Sequence, residues 1–275
     1  MSVTDTLIVI VAAAVKNHGI AIGKQNPWRL AKDLAYFHRV TTTVTGESKP
    51  PSWQQVTGNP AGGGSGEGDS PDEKLGEPAS TSPGGVPVMN ACILGRKTWE
   101  ALPKRFRPLK DRYNIVITSD PQLFGKHDET PEYTVTQPSM QAALEFVEQM
   151  NAAVSSTDAA APMASGGQQR AYIDRVFITG GGGIYDEALK MDDRHLLVLI
   201  TYVQLHDEEK CNACDAFFPQ MDNNRFSLQP HSRLEEVVSF AVPSGPQVEG
   251  GIEYEFLLYE KNREADANAG ERAGE

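Results

Sequence analysis

Apolar residues recur along the chain in short runs separated by polar and glycine-rich segments, and the spacing within each run predicts its secondary structure. Nearly continuous runs predict buried strands, and apolar side chains at i, i+3 and i+4 predict helices. The predicted strands span 7–14, 90–94, 113–118, 174–179 and 195–203, and the predicted helices span 28–40, 97–102, 139–151 and 183–190. This alternation is typical of βαβ units, so we expect an α/β fold with a mostly parallel central sheet flanked by helices.

The C-terminal part of the chain follows a different pattern. Residues 232–240 and 252–260 alternate apolar and polar side chains, and turn residues lie between the two segments. We therefore predict an antiparallel C-terminal hairpin added at the edge of the sheet.

Two internal segments and the C-terminal tail lack the large apolar residues that a folded core requires. Residues 46–87 contain the glycine-rich stretch 62–66 and several X-Pro pairs, and residues 155–170 are rich in Ala, Ser and Gly. Such segments bury too little apolar surface to offset the entropy lost on ordering. We predict a single domain over 1–262, interrupted by low-complexity inserts at 46–87 and 155–170, with a disordered tail at 263–275.

Charge and cysteine usage limit the possible partners. The net charge of −12 argues against a nucleic-acid or anionic-membrane binder, and the apolar run at 7–15 is too short to span a bilayer. The three cysteines cannot form a disulfide framework. Cys211 and Cys214 could supply two zinc ligands, but the sequence contains no second Cys-x-x-Cys pair and no paired histidines to complete the site. We expect no metal and a reducing, cytoplasmic compartment.

A carboxylate lies on the apolar face of the first predicted helix. Leu30, Asp33, Leu34 and Phe37 follow the spacing that places side chains on one helical face. A buried carboxylate without a partner is costly, so a ligand is one explanation for Asp33. A position on the exposed rim of the helix is the other.

A glycine run connects a predicted strand to a predicted helix. Residues 175–179 lead directly into Gly180-Gly181-Gly182-Gly183, and we expect the helix to begin near Ile184 and Tyr185. Backbone N–H groups and the positive end of the helix dipole can approach a phosphate there, because no side chain intervenes. The pattern favours a pyrophosphate site, although a flexible turn would have the same sequence.

A second strand-to-helix turn, at residues 93–99, carries two cations and a hydroxyl. Arg96, Lys97 and Thr98 follow Gly95, where a helix N-terminus would repel positive charge. An anion held between the cations would explain them, and solvated surface charge is the alternative. Two such turns on one sheet indicate a dinucleotide, and the Arg-Lys pair favours NADP over NAD.

Several stretches together resemble the dihydrofolate reductase family, in family order: 10–13, 27–30, 36–37, 94–100, 106–112, 178–181, 217–219 and 254–256. The resemblance implies a monomer that binds dihydrofolate and antifolates, and that uses NADPH to reduce dihydrofolate to tetrahydrofolate. It also implies that Asp33 anchors the pterin, with Trp28 and Thr201 in the accompanying water and hydroxyl network.

The resemblance assigns further residues to the two ligands. For the substrate it implies Val11, Ala12, Leu34, Phe37, Leu102, Leu109, Arg112 and Thr179, with Arg112 on the glutamate α-carboxylate. For the cofactor it implies Ala13, Ile20, Gly95, Arg96, Lys97, Thr98, Thr118, Ser119, Gly180, Gly181, Gly182, Gly183, Ile184 and Tyr185. Gly180-Gly181 would be the family's cis peptide. The loop at 19–26 departs from the family pattern.

Two other functions remain open from the sequence. A pyrimidine reductase of riboflavin synthesis shares the general fold and uses NADPH, but it would not require Asp33 after Trp28 or Arg112 after Arg-Pro-Leu. A non-catalytic binding module would recruit partners through the acidic insert at 46–87 and use the rest as a scaffold.

Overall fold

A computed structural model describes residues 2–45, 85–124, 130–155 and 169–262. Most of both predicted inserts and all of the predicted tail lie outside these ranges, so the predictions made for them stay predictions. Within the described ranges, no helix combines the length and the apolar character that crossing a membrane requires.

The described strands form one large mixed sheet and one small pair. The nine-stranded sheet has the order β10-β11-β7-β1-β6-β3-β4-β5, with β9 also paired to β11, and β2 pairs with β8 separately. The strands are Thr6–Ala14 (β1), Gly19–Ala21 (β2), Val88–Gly95 (β3), Arg112–Ile117 (β4), Thr134–Gln137 (β5), Tyr172–Gly180 (β6), His195–Gln204 (β7), Ala216–Phe217 (β8), Phe226–Leu228 (β9), Gln247–Glu249 (β10) and Ile252–Lys261 (β11). The pairs from β7 through β5 are parallel, which confirms the predicted fold class.

Helices cover both faces of the sheet. They are Ala31–Thr42 (α1), Arg96–Ala101 (α2), Met140–Ser155 (α3), Gly182–Leu189 (α4), Glu208–Ala213 (α5) and His231–Val238 (α6). Alternate side chains of β1 enter opposite cores, since Leu7 and Val9 pack with α3 and α4, whereas Ile8 and Ile10 pack with α1 and α6. Burial on both faces explains why the central strands are continuous apolar runs.

The first strand of the predicted hairpin is wrong. Residues 231–238 form helix α6, in which Leu234 and Val238 are completely buried four positions apart, the spacing of one helical face. The strand that pairs with β11 through a tight turn is instead β10, and the turn uses Gly250 and Gly251 at positive φ. The antiparallel C-terminal addition itself is confirmed, because β11 runs antiparallel to β7.

The sheet opens at one place. Strand β1 is paired with β6 only from Leu7 to Val9, whereas it stays paired with β7 as far as Ala14. Strand β6 continues instead beside β3, where Leu94 is opposite Gly180. The ends of β1 and β6 therefore separate, and we call the space between 10–14 and 179–180 the strand-end cleft. Ligands of α/β sheets bind at such a break in strand pairing.

Candidate active site

Predicted site residues lie at or near the carboxyl ends of five parallel strands. Val11, Ala12 and Ala13 lie near the end of β1, Gly95 ends β3, Thr118 follows β4, Thr179 and Gly180 end β6, and Thr201 lies in β7 beside Ala12. Carboxyl ends of parallel strands share one edge of a sheet, so residues far apart in the sequence meet there.

Asp33 is the third residue of α1, and its side chain points into the protein rather than to the helix rim. Only 7% of the residue is exposed, and its carboxyl group hydrogen-bonds Thr201 of β7. The pKa of Asp33 is raised to about 6, chiefly by burial; the Thr201 hydrogen bond lowers it, and the negative charge of Glu249 makes a smaller contribution that raises it. The carboxyl group therefore exchanges its proton near physiological pH.

Three polar groups share the apolar cluster beneath α1. Trp28 Nε1, Tyr36 Oη and Tyr254 Oη are buried and form no hydrogen bond within the described part of the chain. Burial raises the pKa values of Tyr36 and Tyr254; the negative charge of Asp33 raises both further, and that of Glu249 also raises the pKa of Tyr254. Such unsatisfied donors and acceptors are costly in a protein interior, and a polar ligand at Asp33 would satisfy part of them.

Arg112 is a buried cation without a carboxylate partner among the described residues. It is 5% exposed, and its Nε and Nη1 atoms donate to Lys110 O at 2.8 Å and to Thr41 Oγ1 at 2.9 Å. Burial lowers the pKa of this guanidinium, and the neighbouring Cys92 and Asp111 oppose the effect. A fork held by neutral acceptors suits the carboxylate of a ligand.

The predicted apolar walls differ in exposure. Leu109 is buried and Phe37 and Leu102 are half-buried, but Leu34 is 60% exposed although it neighbours Asp33. An exposed leucine beside a buried carboxyl group is consistent with a surface that a ligand covers. Thr179 Oγ1 donates to Ile93 O at 3.2 Å, so its hydroxyl is engaged within the sheet.

The two glycine-containing turns meet. Gly180-Gly181 is a cis peptide, as expected, and α4 begins at Gly182, two residues earlier than predicted. A Cβ atom on Gly181 would lie 3.0 Å from Thr98 Oγ1, in the first turn of α2. Tyr185 Oη donates to Ile10 O at 2.9 Å and so fixes α4 against β1. The structure thus brings both predicted phosphate turns to the strand-end cleft.

Gly182 and Gly183 differ in whether they could carry a side chain, because the Phe217 backbone closely approaches Gly182 but not Gly183. A Cβ on Gly182 would lie 2.7 Å from the Phe217 carbonyl oxygen, whereas a Cβ on Gly183 would have open space. We expect Gly182→Ala to lower the free energy of unfolding by about 1–3 kcal/mol, because a backbone atom must move. Gly183→Ala, the matched control, should leave it unchanged or raise it by up to about 1 kcal/mol. Denaturant unfolding of both variants measures this, and equal effects would contradict the packing argument.

The two cations of the second turn are not equivalent. Arg96 already forms ion pairs with Glu100 at 2.7 Å and with Asp120 at 3.4 Å. Lys97 is exposed and forms no ion pair among the described residues, and Ser119 is also exposed. Lys97 is therefore more available to bind a phosphate, whereas Arg96 would bind one in competition with Glu100 and Asp120.

The loop that departs from the family pattern is held by the segment at 207–218. Its strand β2 pairs with β8, Gly23 N donates to Asp215 Oδ2 at 2.9 Å, and a Cβ on Gly19 would overlap Cys214 Sγ. Ile20 lies half-buried in β2 against the core. Cys211 and Cys214 are buried free thiols, and no group of three or more potential metal ligands occurs in the described ranges.

Comparison with known proteins decides the family. The sequence profile of the family described as dihydrofolate reductase matches residues 86–240, more than half of the chain. The chain belongs to the dihydrofolate reductase family. It is similar to the dihydrofolate reductases of Heliothis virescens (27% identical over 252 residues, 92% of this chain and 96% of the relative) and Pneumocystis carinii (27% over 266 residues, 93% and 97%).

A solved structure supports the dihydrofolate reductase fold. The Schistosoma mansoni dihydrofolate reductase matches with a TM-score of 0.58 and 24% identity, and the match covers 94% of this chain and 98% of that one. The family assignment made from the sequence is therefore confirmed. The roles assigned to individual residues stay predictions.

Sequence reasoning missed two residues that support this dihydrofolate reductase-like site. Asp215 fastens the loop at Gly23, and Glu249 contacts the first turn of α1 from the C-terminal hairpin. No local pattern marks either residue, because each acts on a segment distant in the sequence. In the sequence, the turn Glu249-Gly250-Gly251 offered only a hairpin signal.

Proposed function

We propose that this protein reduces 7,8-dihydrofolate to 5,6,7,8-tetrahydrofolate with NADPH, adding a hydride to C6 and a proton to N5. The observation that carries the proposal is Asp33, a buried carboxyl group with a pKa of about 6 beside the strand-end cleft of a dihydrofolate reductase-family chain. A group that exchanges its proton near neutral pH is suited to a reaction that consumes one proton.

NADPH supplies the hydride when it is bound, and the described residues fit this cofactor. A Cβ atom at Gly180 or Gly181 would crowd Tyr185 or Thr98, so the turn packs closely against the start of α2, and its backbone N–H groups would bind the pyrophosphate. Gly182, Gly183, Ile184 and Tyr185 continue this site, and Lys97, Arg96, Thr98, Thr118 and Ser119 would hold the adenosine side. Gly95, Ala13 and Ile20 would complete the site, the last two near the nicotinamide.

The substrate would extend from Asp33 to Arg112. Asp33 would hydrogen-bond the pterin N3 and 2-amino group, and Trp28 and Thr201 would orient it. Val11, Ala12 and Thr179 would face the pterin ring. Arg112 would bind the glutamate α-carboxylate with its planar fork. Leu34, Phe37, Leu102 and Leu109 would exclude water from the hydride path.

The alternatives from the sequence are less consistent with the site. A pyrimidine reductase needs neither the carboxyl group of Asp33 nor the buried Arg112, and the family match favours dihydrofolate. A scaffold without chemistry would gain nothing from burying Asp33 at a raised pKa. The family also supports antifolates as ligands.

We propose further that the protein acts as a monomer in the cytoplasm and binds neither nucleic acid nor membranes. The net charge of −12 and the sequence pI near 5.0 oppose polyanionic partners. All three cysteines are buried free thiols, which suits a reducing compartment.

The direct test is absorbance loss at the reduced-nicotinamide band with NADPH and dihydrofolate. Oxidation that requires dihydrofolate supports the proposal. Reduction of a ribityl-aminopyrimidine with no turnover of dihydrofolate would favour the pyrimidine reductase instead. Absence of turnover with either substrate would favour the binding module.

Cofactor discrimination tests the cation turn. We expect Arg96→Ala/Lys97→Ala to weaken NADPH binding by roughly 10- to 100-fold, because charge-assisted contacts to a phosphate are lost, and to weaken NADH binding by no more than about twofold. Fluorescence titration measures both affinities. Lys104→Ala/Arg105→Ala removes the same charge from an exposed turn outside the site and serves as the control. Equal weakening of NADPH and NADH would refute the 2'-phosphate assignment.

A further inference from the structure

Helix α1 has no capping side chain of its own. Its N-cap residue is Leu30, which cannot accept a hydrogen bond from the first turn. The carboxylate of Glu249 provides the missing acceptors, since Ala31 N donates to one of its oxygens at 2.8 Å and Lys32 N donates to the other at 3.1 Å. The cap therefore comes from β10, more than two hundred residues later in the chain.

The hairpin ties Glu249 to the sheet that carries Thr201. Glu249 is the last residue of β10 and is paired with Ile252 of β11 across the turn at Gly250 and Gly251. Farther along β11, Phe256 is paired with Thr201 of β7. The paired strands β10, β11 and β7 therefore position both Glu249, which accepts from the α1 backbone, and the hydroxyl of Thr201, which contacts Asp33.

The Glu249 cap leaves the side chain of Asp33 free to point inward. Asp33 is the third residue of α1, and an acidic side chain at this position commonly turns back to bind the N-cap backbone. Glu249 holds the N–H groups of Ala31 and Lys32, the first two residues of α1, and the Asp33 side chain bonds Thr201 rather than the N-cap backbone. The first turn is consequently stabilised without using the Asp33 carboxyl group.

We infer that Glu249 is a positioning residue for the proposed reaction: it holds the first turn of α1 so that Asp33 faces Thr201, and it places a second negative charge beside that carboxyl group. The inference rests on the proposed function for its catalytic meaning. Its structural content rests on the two backbone hydrogen bonds.

Among the charged and titratable groups near Asp33, Glu249 is the one whose charge raises the Asp33 pKa. The titratable and charged groups that face or flank it are Arg29 before α1, Lys32 and Tyr36 within α1, Glu249 of β10 and Tyr254 of β11. Burial raises the pKa values of both tyrosines, so they are neutral in the physiological range. The like charge of Glu249 adds to burial in raising the Asp33 pKa, and its removal should lower that pKa.

Three variants separate the cap from the charge. Glu249→Gln removes the charge and keeps one acceptor oxygen, Glu249→Ala removes both, and Glu253→Gln removes a charge from an exposed position on the same hairpin. For each full-length protein we would measure Tm, the pH dependence of kcat, and the titration of the Asp33 carboxyl carbon by ¹³C NMR. The spectrum of Asp33→Asn assigns the Asp33 resonance.

We expect Glu249→Gln to move the Asp33 titration and the pH profile of kcat to lower pH, and to reduce turnover at pH 7.5 by roughly threefold, the order expected for one nearby charge. Glu249→Ala should do the same and also lower Tm by about 2–4 °C through loss of the cap. Glu253→Gln should match the wild type in all three measurements.

The outcomes separate this inference from the proposed function. If both Glu249 variants change Tm but leave the Asp33 titration in place, Glu249 is only a helix cap and the inference is overturned. If the wild-type protein shows no dihydrofolate-dependent turnover, the proposed function fails, whereas the NMR titration still decides whether Glu249 acts on Asp33.

Discussion

Replacing Asp33 with Asn is expected to slow dihydrofolate reduction near pH 7 by roughly 10²- to 10⁴-fold, the range for loss of an acid-base group. The amide keeps the size and a hydrogen-bond acceptor for the pterin but cannot exchange a proton. In the wild type, the rate should fall as pH rises through about 6, because Asp33 loses its proton there. The variant should lose this dependence. Stopped-flow measurement of hydride transfer across pH 5–9 tests both expectations.

Asp33→Asn should raise the free energy of unfolding near pH 7, although it lowers the rate of dihydrofolate reduction. The folded protein holds the Asp33 proton more tightly than the unfolded chain, since the pKa is raised from 3.8 to about 6. Asp33 therefore lowers the free energy of unfolding progressively as pH rises between these values, and the full penalty persists above pH 6. Asn carries no such penalty, so Asp33→Asn should be more stable at pH 7 by at most about 3 kcal/mol.

A surface carboxylate provides the comparison for Asp33. The side chain of Asp193 is 70% exposed, and Asp193→Asn should change neither turnover nor stability by a measurable amount. An Asp33→Asn variant that retains the wild-type rate would exclude Asp33 from the chemistry. A variant that is inactive and also less stable at pH 7 would mean that Asp33 is structural and that its burial is compensated.

Arg112 should control substrate binding rather than hydride transfer. We expect Arg112→Lys to raise KM for dihydrofolate by roughly 10- to 100-fold with a much smaller change in kcat, because an ammonium keeps the charge but loses the two-pronged contact with a carboxylate. Steady-state kinetics at saturating NADPH measure the two constants separately.

A truncated substrate distinguishes a ligand contact from damage to the fold. Arg112 also bonds Lys110 O and Thr41 Oγ1, so its replacement can disturb the protein itself. With a dihydropterin that lacks the glutamate, wild type and Arg112→Lys should have similar KM values. Arg105→Lys, on the exposed turn nearby, should behave as wild type with both substrates. If Arg112→Lys raised the KM for the truncated substrate equally, Arg112 would stabilise the fold without binding the glutamate.

Much of the fold could be predicted from the sequence because its strands are buried on both faces. Continuous apolar runs identified β1, β3, β4, β6 and β7, and the glycine run identified the start of α4 within two residues. The prediction of a strand at residues 232–240 was wrong, because a short amphipathic segment fits the helical period of 3.6 residues as well as the strand period of two. Complete burial of Leu234 and Val238 on one face selects the helix, and that burial depends on the sheet beneath it.

The sequence by itself determined the family, the parallel sheet and the two glycine-containing turns. These features depend on local spacing and on motifs that neighbouring residues form together. Only the tertiary structure decided that Asp33 is buried, that Arg112 has no carboxylate partner among the described residues and that Glu249 caps α1. Each of these depends on strand register and on contacts between distant segments, which fix the distances between charges and therefore the proton affinity of Asp33.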